Sequence, residues 1–425
     1  MSPGEPILLL CHSFPPNPGI GGRRWAKFAK ELARRGHPVH VVHKAPRPGD
    51  KVSLWKDDAA HPNIFHHPVP SRYPEVMTRW PLTSLWDKLM YRFWIRVMRL
   101  RVSNNYYDES CLSRNDVLDT AGRLVRRYGI RQVVASGAPF HLLAYAAELK
   151  QATPQLHVAV DFRDAWTWGR HYGFSTMGPG RIAREQKLEA WLMESVDAVI
   201  SPHAAILDHL HEVYGSVPRK RVLIPHAIDP DDLPVNTTPR NDGTFRMIYA
   251  GSLYGTEEAE GYFPALLEAF STLQTHFPQD AARCRLDLYI TGQGAETFRA
   301  QVSARRLDRL ICFHDPLPPK EILVHLAQAD LFPVFLPADK KDVMVTKLNE
   351  LFHLHRPVLH VGELGTVGRA IVARRLGASV RVDELVTELP AIIRGERRLE
   401  VDSKADLSES LLAAVTSRLL EEVLC

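Results

Sequence analysis

Short apolar runs alternate with segments of helical periodicity at the start of the chain. Pro6–His12 is an apolar run typical of a strand that is buried on both faces. A loop rich in proline and glycine follows, and a helical pattern then begins at Arg23 and ends at Gly36. Its apolar positions are spaced i, i+3, i+4 and i+7: Trp25, Phe28, Ala29 and Leu32. With a second strand predicted at Pro38–His43, this order indicates a parallel α/β sheet.

The alternation continues along the chain and restarts once. Further strands of the first half are predicted at Ile64–Val69, Arg131–Ser136, Leu156–Val160, Ala198–Ser201 and Val222–Ile224. Residues 225–243 have the composition of a linker. Strands of the second half are predicted at Phe245–Ala250, Leu286–Ile290, Ile311–His314, Leu331–Leu336, Pro357–His360 and Ser379–Val382.

This pattern predicts two Rossmann-like, doubly wound domains in series, over residues 1–228 and 229–400. Residues 401–425 are predicted to hold a C-terminal helix that packs back toward the first domain. Two such domains leave a cleft between them, which is a favoured site for small molecules.

Composition narrows the class of protein. The 425 residues are 45% hydrophobic and 24% charged, with a net charge of +4, so neither disorder nor a nucleic-acid partner is indicated. Five scattered cysteines without a Cys-x-x-Cys pair argue against a disulfide scaffold and a zinc ribbon, and fit a reducing cytosol. No signal-peptide pattern or spanning apolar segment is present in the sequence, so we predict a cytoplasmic protein.

Gly21 and Gly22 lie at the end of the loop between the first predicted strand and the N-terminus of the following helix. Free backbone N–H groups and the helix dipole favour an anion there, and two glycines let a phosphate approach the backbone closely. A flexible turn without a ligand explains the same pair of residues, and the fingerprint Gly-x-Gly-x-x-Gly is absent.

The segment Arg79–Arg101 combines tryptophans with six basic residues and a single acid, Asp87. Arginine beside tryptophan on an amphipathic helix suits an anionic membrane surface or a lipid-phosphate ligand. The alternative is a surface helix that packs its tryptophans into the core, and basic surface faces are common enough to favour this alternative slightly.

A charged loop, Asp161–Trp166, follows a predicted buried strand. Open α/β sheets bind ligands at the carboxyl ends of their strands, which indicates a functional loop. The structural alternative is an ion pair of Arg163 with Asp161 or Asp164 that only holds the loop. His141 lies at the mouth of a neighbouring strand, where a lone histidine is usually structural.

The segment 339–357 carries the sharpest signal. Thr346 and Lys347 open a helix, so a hydroxyl, an ammonium and free N–H groups converge in a manner that suits a diphosphate. Glu350 lies one turn further on and can accept both hydroxyls of a ribose, and Asp342 precedes it by eight residues. A capping box with an ordinary helix salt bridge explains the pattern equally well.

Taken together, these motifs resemble those of the family 4 retaining glycosyltransferases of GT-B fold, the group 1 type. Each motif is weak alone, but their order and spacing over nearly the whole chain are specific. The matching segments are Phe14–Gly22 with Gly36-His37, Asp161–Trp166, Ile224–Asp229, Tyr249–Gly255, Thr291–Gly294, and Thr346–Glu350 with Arg356-Pro357.

The resemblance implies that the C-terminal domain binds a nucleotide sugar, with a UDP-sugar favoured. Glu350 matches the glutamate that holds the ribose, and Asp342 stands at the first acid of the family's Glu-x7-Glu motif. The remaining donor contacts implied are Gly21, Gly22, Ser252, Leu253, His314, Thr346 and Lys347. His141 matches the histidine that orients the sugar. We expect Asp164 to orient the acceptor hydroxyl, with Arg163 and Trp166 on the acceptor side.

One departure from the family pattern bears on these roles. Many members place an Arg and a Lys after the Gly251 strand to hold the diphosphate, whereas this chain has no base in Ser252–Glu258. Lys347 with Thr346 is the expected substitute.

The predicted reaction is therefore metal-independent sugar transfer with retention, from a nucleotide-sugar donor to a carbohydrate or lipid-linked acceptor of cell-surface glycan synthesis. We also predict a peripheral contact of residues 79–101 with the inner face of the membrane. Two alternatives stay open: a catalytically silent scaffold of the same fold that binds a sugar nucleotide or a membrane, and a nucleotide-sugar 2-epimerase.

Overall fold

A computed structural model describes residues 4–79, 81–169, 172–218, 220–234, 242–252, 262–291, 295–338, 341 and 346–424, with the side chains of Thr346 and Lys347 left out. Two compact units emerge from its contacts. One comprises Met1–Ala227 with Leu412–Cys425, and the other comprises Ile228–Leu411.

The first unit is built on a seven-stranded parallel sheet with the order β3-β2-β1-β4-β5-β6-β7. Its strands are Ile7–Cys11 (β1), Val39–Lys44 (β2), Ile64–Val69 (β3), Gln132–Gly137 (β4), His157–Phe162 (β5), Ala198–Ser201 (β6) and Lys220–Leu223 (β7). Leu9 pairs with Val41 on one side and with Val134 on the other, so β1 is central. All five residues of β1 are buried, which explains why it appears in the sequence as one continuous apolar run.

Helices cover both faces of this sheet. They are Arg23–Arg34 (α1), Leu85–Arg101 (α2), Arg114–Tyr128 (α3), His141–Ala152 (α4), Pro179–Ser195 (α5) and Ala204–Tyr214 (α6). Sequence reasoning missed α5 and α6. Buried glutamates interrupt the apolar stripe of α5, and this hides its period.

The second unit repeats the same strand order. Its strands are Phe245–Ser252 (β8), Cys284–Thr291 (β9), Ile311–His314 (β10), Phe332–Phe335 (β11), Val358–Val361 (β12) and Gly377–Val380 (β13). They form the sheets β10-β9-β8 and β11-β12-β13, which a parallel bridge between Met247 and Leu331 connects. The succession β10-β9-β8-β11-β12-β13 therefore matches β3-β2-β1-β4-β5-β6. Two doubly wound parallel-sheet units confirm the predicted fold class.

The helices of the second unit are Tyr262–His276 (α7), Pro278–Ala281 (α8), Ala295–Ala304 (α9), Pro319–Leu326 (α10), Thr346–His353 (α11), Thr366–Ala373 (α12) and Leu385–Ile393 (α13). The last helix, Leu412–Glu422 (α14), belongs to the first unit. There Val415 and Leu419 join the core around Trp25, and Arg35 Nη2 donates to the carbonyl of Ala413 at 2.5 Å.

The alternative in which the segment Arg79–Arg101 packs its tryptophans into the core is wrong for Trp86, whereas Trp94 is half-buried. Trp86 is 66% exposed, and Trp80 lies outside the described residues. A search of the described helices for one long and apolar enough to cross a membrane finds no candidate.

Candidate functional site

The strand order of the first unit reverses between β1 and β4. In an open α/β sheet the loops on either side of such a reversal leave a crevice at the carboxyl edge. The glycine loop of residues 12–22 follows β1, and the turn before His141 follows β4. The charged loop after β5 lies beside them, so three of the motifs found in the sequence meet at one edge of the sheet.

Arg163 holds these three loops together. Its Nε donates to the carbonyl of Gly137 at 3.0 Å, its Nη1 to that of Gly21 at 2.5 Å and its Nη2 to that of Ala138 at 2.5 Å. The planar guanidinium suits three carbonyls that lie around one plane.

The structural alternative, an ion pair of Arg163 with Asp161, is not formed among the described residues, because Asp161 pairs with Arg24 instead. Asp161 is fully buried, and its Oδ2 accepts from Arg24 Nε at 3.1 Å and from Trp25 Nε1 at 2.6 Å. Arg24 also donates to the carbonyls of Ile224 and Pro225. The ion pair of Arg24 with Asp161 therefore joins α1 to β5 and anchors the start of α1.

Gly21 and Gly22 each have a steric reason in this structure. A Cβ on Gly22 would lie 2.2 Å from the carbonyl oxygen of Ser13, and a Cβ on Gly21 would lie 3.0 Å from Arg163 Nη1. Gly22 is also the N-cap of α1, where no side-chain hydrogen bond is present. The loop is thus packed tightly, and among the described residues no carboxylate or hydroxyl caps the N-terminus of α1.

The neighbouring helix α4 is capped differently. Asp108 Oδ2 accepts from the backbone N–H of Phe140 at 2.6 Å and of His141 at 3.1 Å. The side chain of His141 is buried, and its Nε2 lies 2.7 Å from Glu185 Oε1 on α5.

Two acids control the charge of this histidine. Burial alone lowers the pKa of His141, but the charge of Asp108 and the bond to Glu185 outweigh burial and raise the pKa to about 9. His141 is therefore an imidazolium at neutral pH, which can donate a proton in a hydrogen bond but cannot accept one.

The side chains of Trp166 and Asp164 lie in different surroundings. Trp166 is fully buried, donates from Nε1 to Glu185 Oε2 at 2.9 Å, and stacks on Phe140 with ring centroids 5.2 Å apart. Its position is that of a core residue, with no surface left for an acceptor. Asp164 is half-buried and accepts from the hydroxyl of Tyr172 at 2.9 Å.

In the second unit the order reverses between β8 and β11. Ser252 ends β8, and its Oγ lies 3.3 Å from Thr291 Oγ1 at the end of β9. The helix α11, which follows β11, begins at Thr346 and carries the half-buried Glu350. Ser252, the last residue of β8, and α11, which follows β11, thus belong to the carboxyl ends of the two strands that flank this reversal. Leu253, Asp342 and the side chains of Thr346 and Lys347 lie outside the described residues.

His314 has an internal partner. Its Nε2 lies 2.7 Å from Oδ1 of the fully buried Asp287, and its ring stacks on Tyr289 with centroids 4.8 Å apart. Arg246 and Arg285 donate to the same carboxylate. Burial opposes ionisation, but these three donors hold the pKa of Asp287 below its usual value.

Sequence reasoning missed the acids that hold these groups, namely Asp108, Glu185 and Asp287. A signal was present for Glu185, which falls on the same helical face as Leu192 and Met193, where the pattern calls for an apolar residue. Asp287 likewise interrupts a buried strand.

The comparisons with known proteins agree with this geometry. Residues 21–227 match the family model of the glycosyl transferase 4-like domain. Over 382 residues the chain is 22% identical to glycogen synthase of Mycobacterium tuberculosis, covering 88% of this chain and 81% of that protein.

Solved structures extend the likeness to the whole chain. A sucrose-phosphate synthase from Thermosynechococcus elongatus has a TM-score of 0.56 at 13% identity, with 99% of this chain and 95% of that chain covered. HepE from Anabaena, crystallised with UDP, has a TM-score of 0.59 at 11% identity, with 99% and 96% covered. At such identities the likeness shows the fold.

Fold and domain match together indicate a glycosyltransferase: the chain has the GT-B fold, and residues 21–227 match the glycosyl transferase 4-like domain.

Proposed function

We propose that the protein transfers a sugar from a nucleotide-diphosphate sugar, a UDP-sugar being favoured, to a hydroxyl of a carbohydrate or lipid-linked acceptor. The match of residues 21–227 to the glycosyl transferase 4-like domain carries the proposal. The likeness to HepE, which was crystallised with UDP and with UDP-glucose, supports the choice of donor.

In the proposed reaction the bond between the anomeric carbon and the phosphate oxygen breaks, and a bond to the acceptor oxygen forms on the same face of the sugar. The acceptor proton passes to the leaving phosphate. Charge accumulates on the diphosphate, and Lys347, Thr346 and the amides of Gly21 and Gly22 are the proposed stabilising groups, without a metal. Glu350 is proposed to hold the ribose, and Asp164 to orient the acceptor hydroxyl.

His141 keeps the proposed role of orienting the sugar. Because its pKa is raised to about 9, it acts as a hydrogen-bond donor or a fixed cation rather than as a general base. A charged His141 is compatible with proton transfer to the leaving phosphate. The remaining parts of the proposal are synthesis of a cell-surface glycan and peripheral membrane contact through residues 79–101.

Thermal stabilisation tests the donor site first. A nucleotide that binds only the folded protein raises the melting temperature, so a panel of nucleotides and nucleotide sugars should single out one base. We expect Lys347→Ala and Glu350→Ala to remove that shift. Lys404→Ala and Glu321→Ala, at exposed positions of the same unit, should leave it unchanged.

Turnover separates the proposal from its alternatives. Incubation with the identified donor should release the nucleoside diphosphate, also in the presence of EDTA, and NMR of the transferred sugar should show the donor's anomeric configuration. Donor binding without release of the nucleoside diphosphate would favour a silent scaffold. Conversion of the donor to its 2-epimer would favour the epimerase.

A further inference from the structure

The exposed face of α2 carries a cluster of apolar side chains. Its exposed apolar side chains have between 51% and 90% of their surface accessible: Leu85, Trp86, Leu89, Phe93 and Leu100. At about 100° per residue they fall within a single arc of about 100° on the helix surface. The opposite face is docked, since Met98 is fully buried against Tyr73, Val102 and Tyr106.

The helix is held in place without any partner molecule. Ser84 caps its N-terminus, because its Oγ accepts from the backbone N–H of Asp87 at 2.9 Å. At the other end, Arg181 of α5 donates to the carbonyls of Arg99 at 2.6 Å and Asn104 at 2.7 Å. The apolar arc is therefore presented on a helix that the rest of the unit fixes.

A basic flank borders the apolar arc. Lys88, Arg92 and Arg99 fall on the adjoining part of the helix surface, Arg96 falls inside the edge of the arc, and all four are exposed. Within the described part of the chain, Lys88, Arg92 and Arg96 have no hydrogen bond or ion pair, while Arg99 donates to Tyr106 Oη at 3.2 Å. Asp87, the only acid of α2, lies on the docked side and accepts from Ser84 Oγ.

We infer that α2 lies in the plane of an anionic lipid bilayer. The apolar arc enters the boundary between headgroups and acyl chains, and the basic flank contacts lipid phosphates. A second copy of the chain is a poorer occupant, because the same arc on that copy offers four cations and no acid. The inference deepens the proposed function. The purpose of the contact, to bring the protein to a lipid-linked acceptor, rests on that function.

Sedimentation with vesicles tests the surface directly. The purified full-length protein is mixed with vesicles of equal parts phosphatidylglycerol and phosphatidylcholine, or of phosphatidylcholine alone. We expect binding to the anionic vesicles that is at least about tenfold stronger, and weaker binding as salt is raised.

Matched variants locate the contact. Leu89→Glu with Phe93→Glu should lower vesicle affinity by about tenfold or more, whereas Val213→Glu, at an exposed apolar position of α6, should not. Arg92→Glu with Arg96→Glu should have a similar effect, whereas Arg126→Glu on α3 should not.

Three results would overturn the inference. They are wild-type protein that ignores anionic vesicles, α2 variants that bind them as well as wild type does, and a dimer in sedimentation velocity that Leu89→Glu dissociates. Nucleotide-induced thermal shifts of the same preparations keep the two proposals apart. If vesicle binding is absent and the thermal shift is intact, only the inference on α2 fails. If the thermal shift is absent and vesicle binding is intact, only the proposed donor site fails.

Discussion

Two helices of the first unit, α1 and α2, contain similar kinds of residues but have opposite surroundings. Both carry tryptophan and several basic residues at helical spacing. In α1, Trp25 is 1% exposed, and Arg24, Lys27 and Lys30 are buried as well. In α2, Trp86 and the basic flank are exposed.

The difference comes from acids that other segments supply. Asp161 pairs with Arg24 at 3.1 Å, and Asp58 pairs with Lys27 at 2.8 Å and with Lys30 at 3.1 Å. A buried cation is tolerated only when it is paired and hydrogen-bonded, and within the described part of the chain no such acid lies against the exposed face of α2. The comparison teaches that helical periodicity alone does not decide whether a basic helix is covered.

The strongest test of the comparison is to remove the acid beneath α1. Asp161→Asn leaves Arg24 buried without a counter-charge, and we expect about 3–5 kcal/mol less stability. All eight tryptophans lie before residue 228, so their fluorescence during urea unfolding reports on the first unit. Asp116→Asn, which removes the acid of an exposed pair with Arg72, should have a much smaller effect. An equally small effect of Asp161→Asn would show that the buried pair is dispensable.

A second buried cation, His141, extends the comparison to pH. Its folded pKa of about 9 lies above the unfolded value of about 6.5, so its stabilisation is complete below pH 6.5 and is lost as pH rises through 9. The difference in unfolding free energy between wild type and His141→Gln should therefore shrink by on the order of 3 kcal/mol between about pH 6 and pH 10. A difference that does not vary with pH would show that the imidazole is neutral.

Arg163 tests a cation that binds carbonyls rather than acids. Arg163→Met removes donors from the carbonyls of Gly21, Gly137 and Ala138, and we expect a loss of about 1–3 kcal/mol. Amide exchange of residues 19–22 should become faster. Arg163→Lys keeps the charge but lacks the planar fork, so it should restore little. Full restoration by lysine would mean that charge alone matters.

The smallest effect is expected on α2 itself. Phe28→Ala and Phe93→Ala make the same change at a position 1% exposed and at one 51% exposed. The first should cost about 3–5 kcal/mol, and the second should lie within about 0.5 kcal/mol of wild type. Unfolding followed by tryptophan fluorescence compares the pair. A large loss from Phe93→Ala would mean that this face of α2 is covered.

Much of the fold was accessible from the pattern alone. Continuous apolar runs predicted buried parallel strands, and the restart near residue 245 predicted a second sheet. The order of weak motifs predicted the glycosyltransferase class, which the match to residues 21–227 confirms. The roles of individual site residues stay predictions, because they depend on ligand contacts.

Periodicity is local, so the sequence by itself determined where most strands and helices form, how α1 and α2 divide into apolar and basic positions, and which class of enzyme the motifs resemble. Only the tertiary structure decided that Asp161 meets Arg24 across 137 residues of sequence, that Glu185 and Asp108 charge His141, and that Trp166 is buried. Charge pairing and burial depend on which distant segments the sheet topology brings together, and no local pattern encodes that choice.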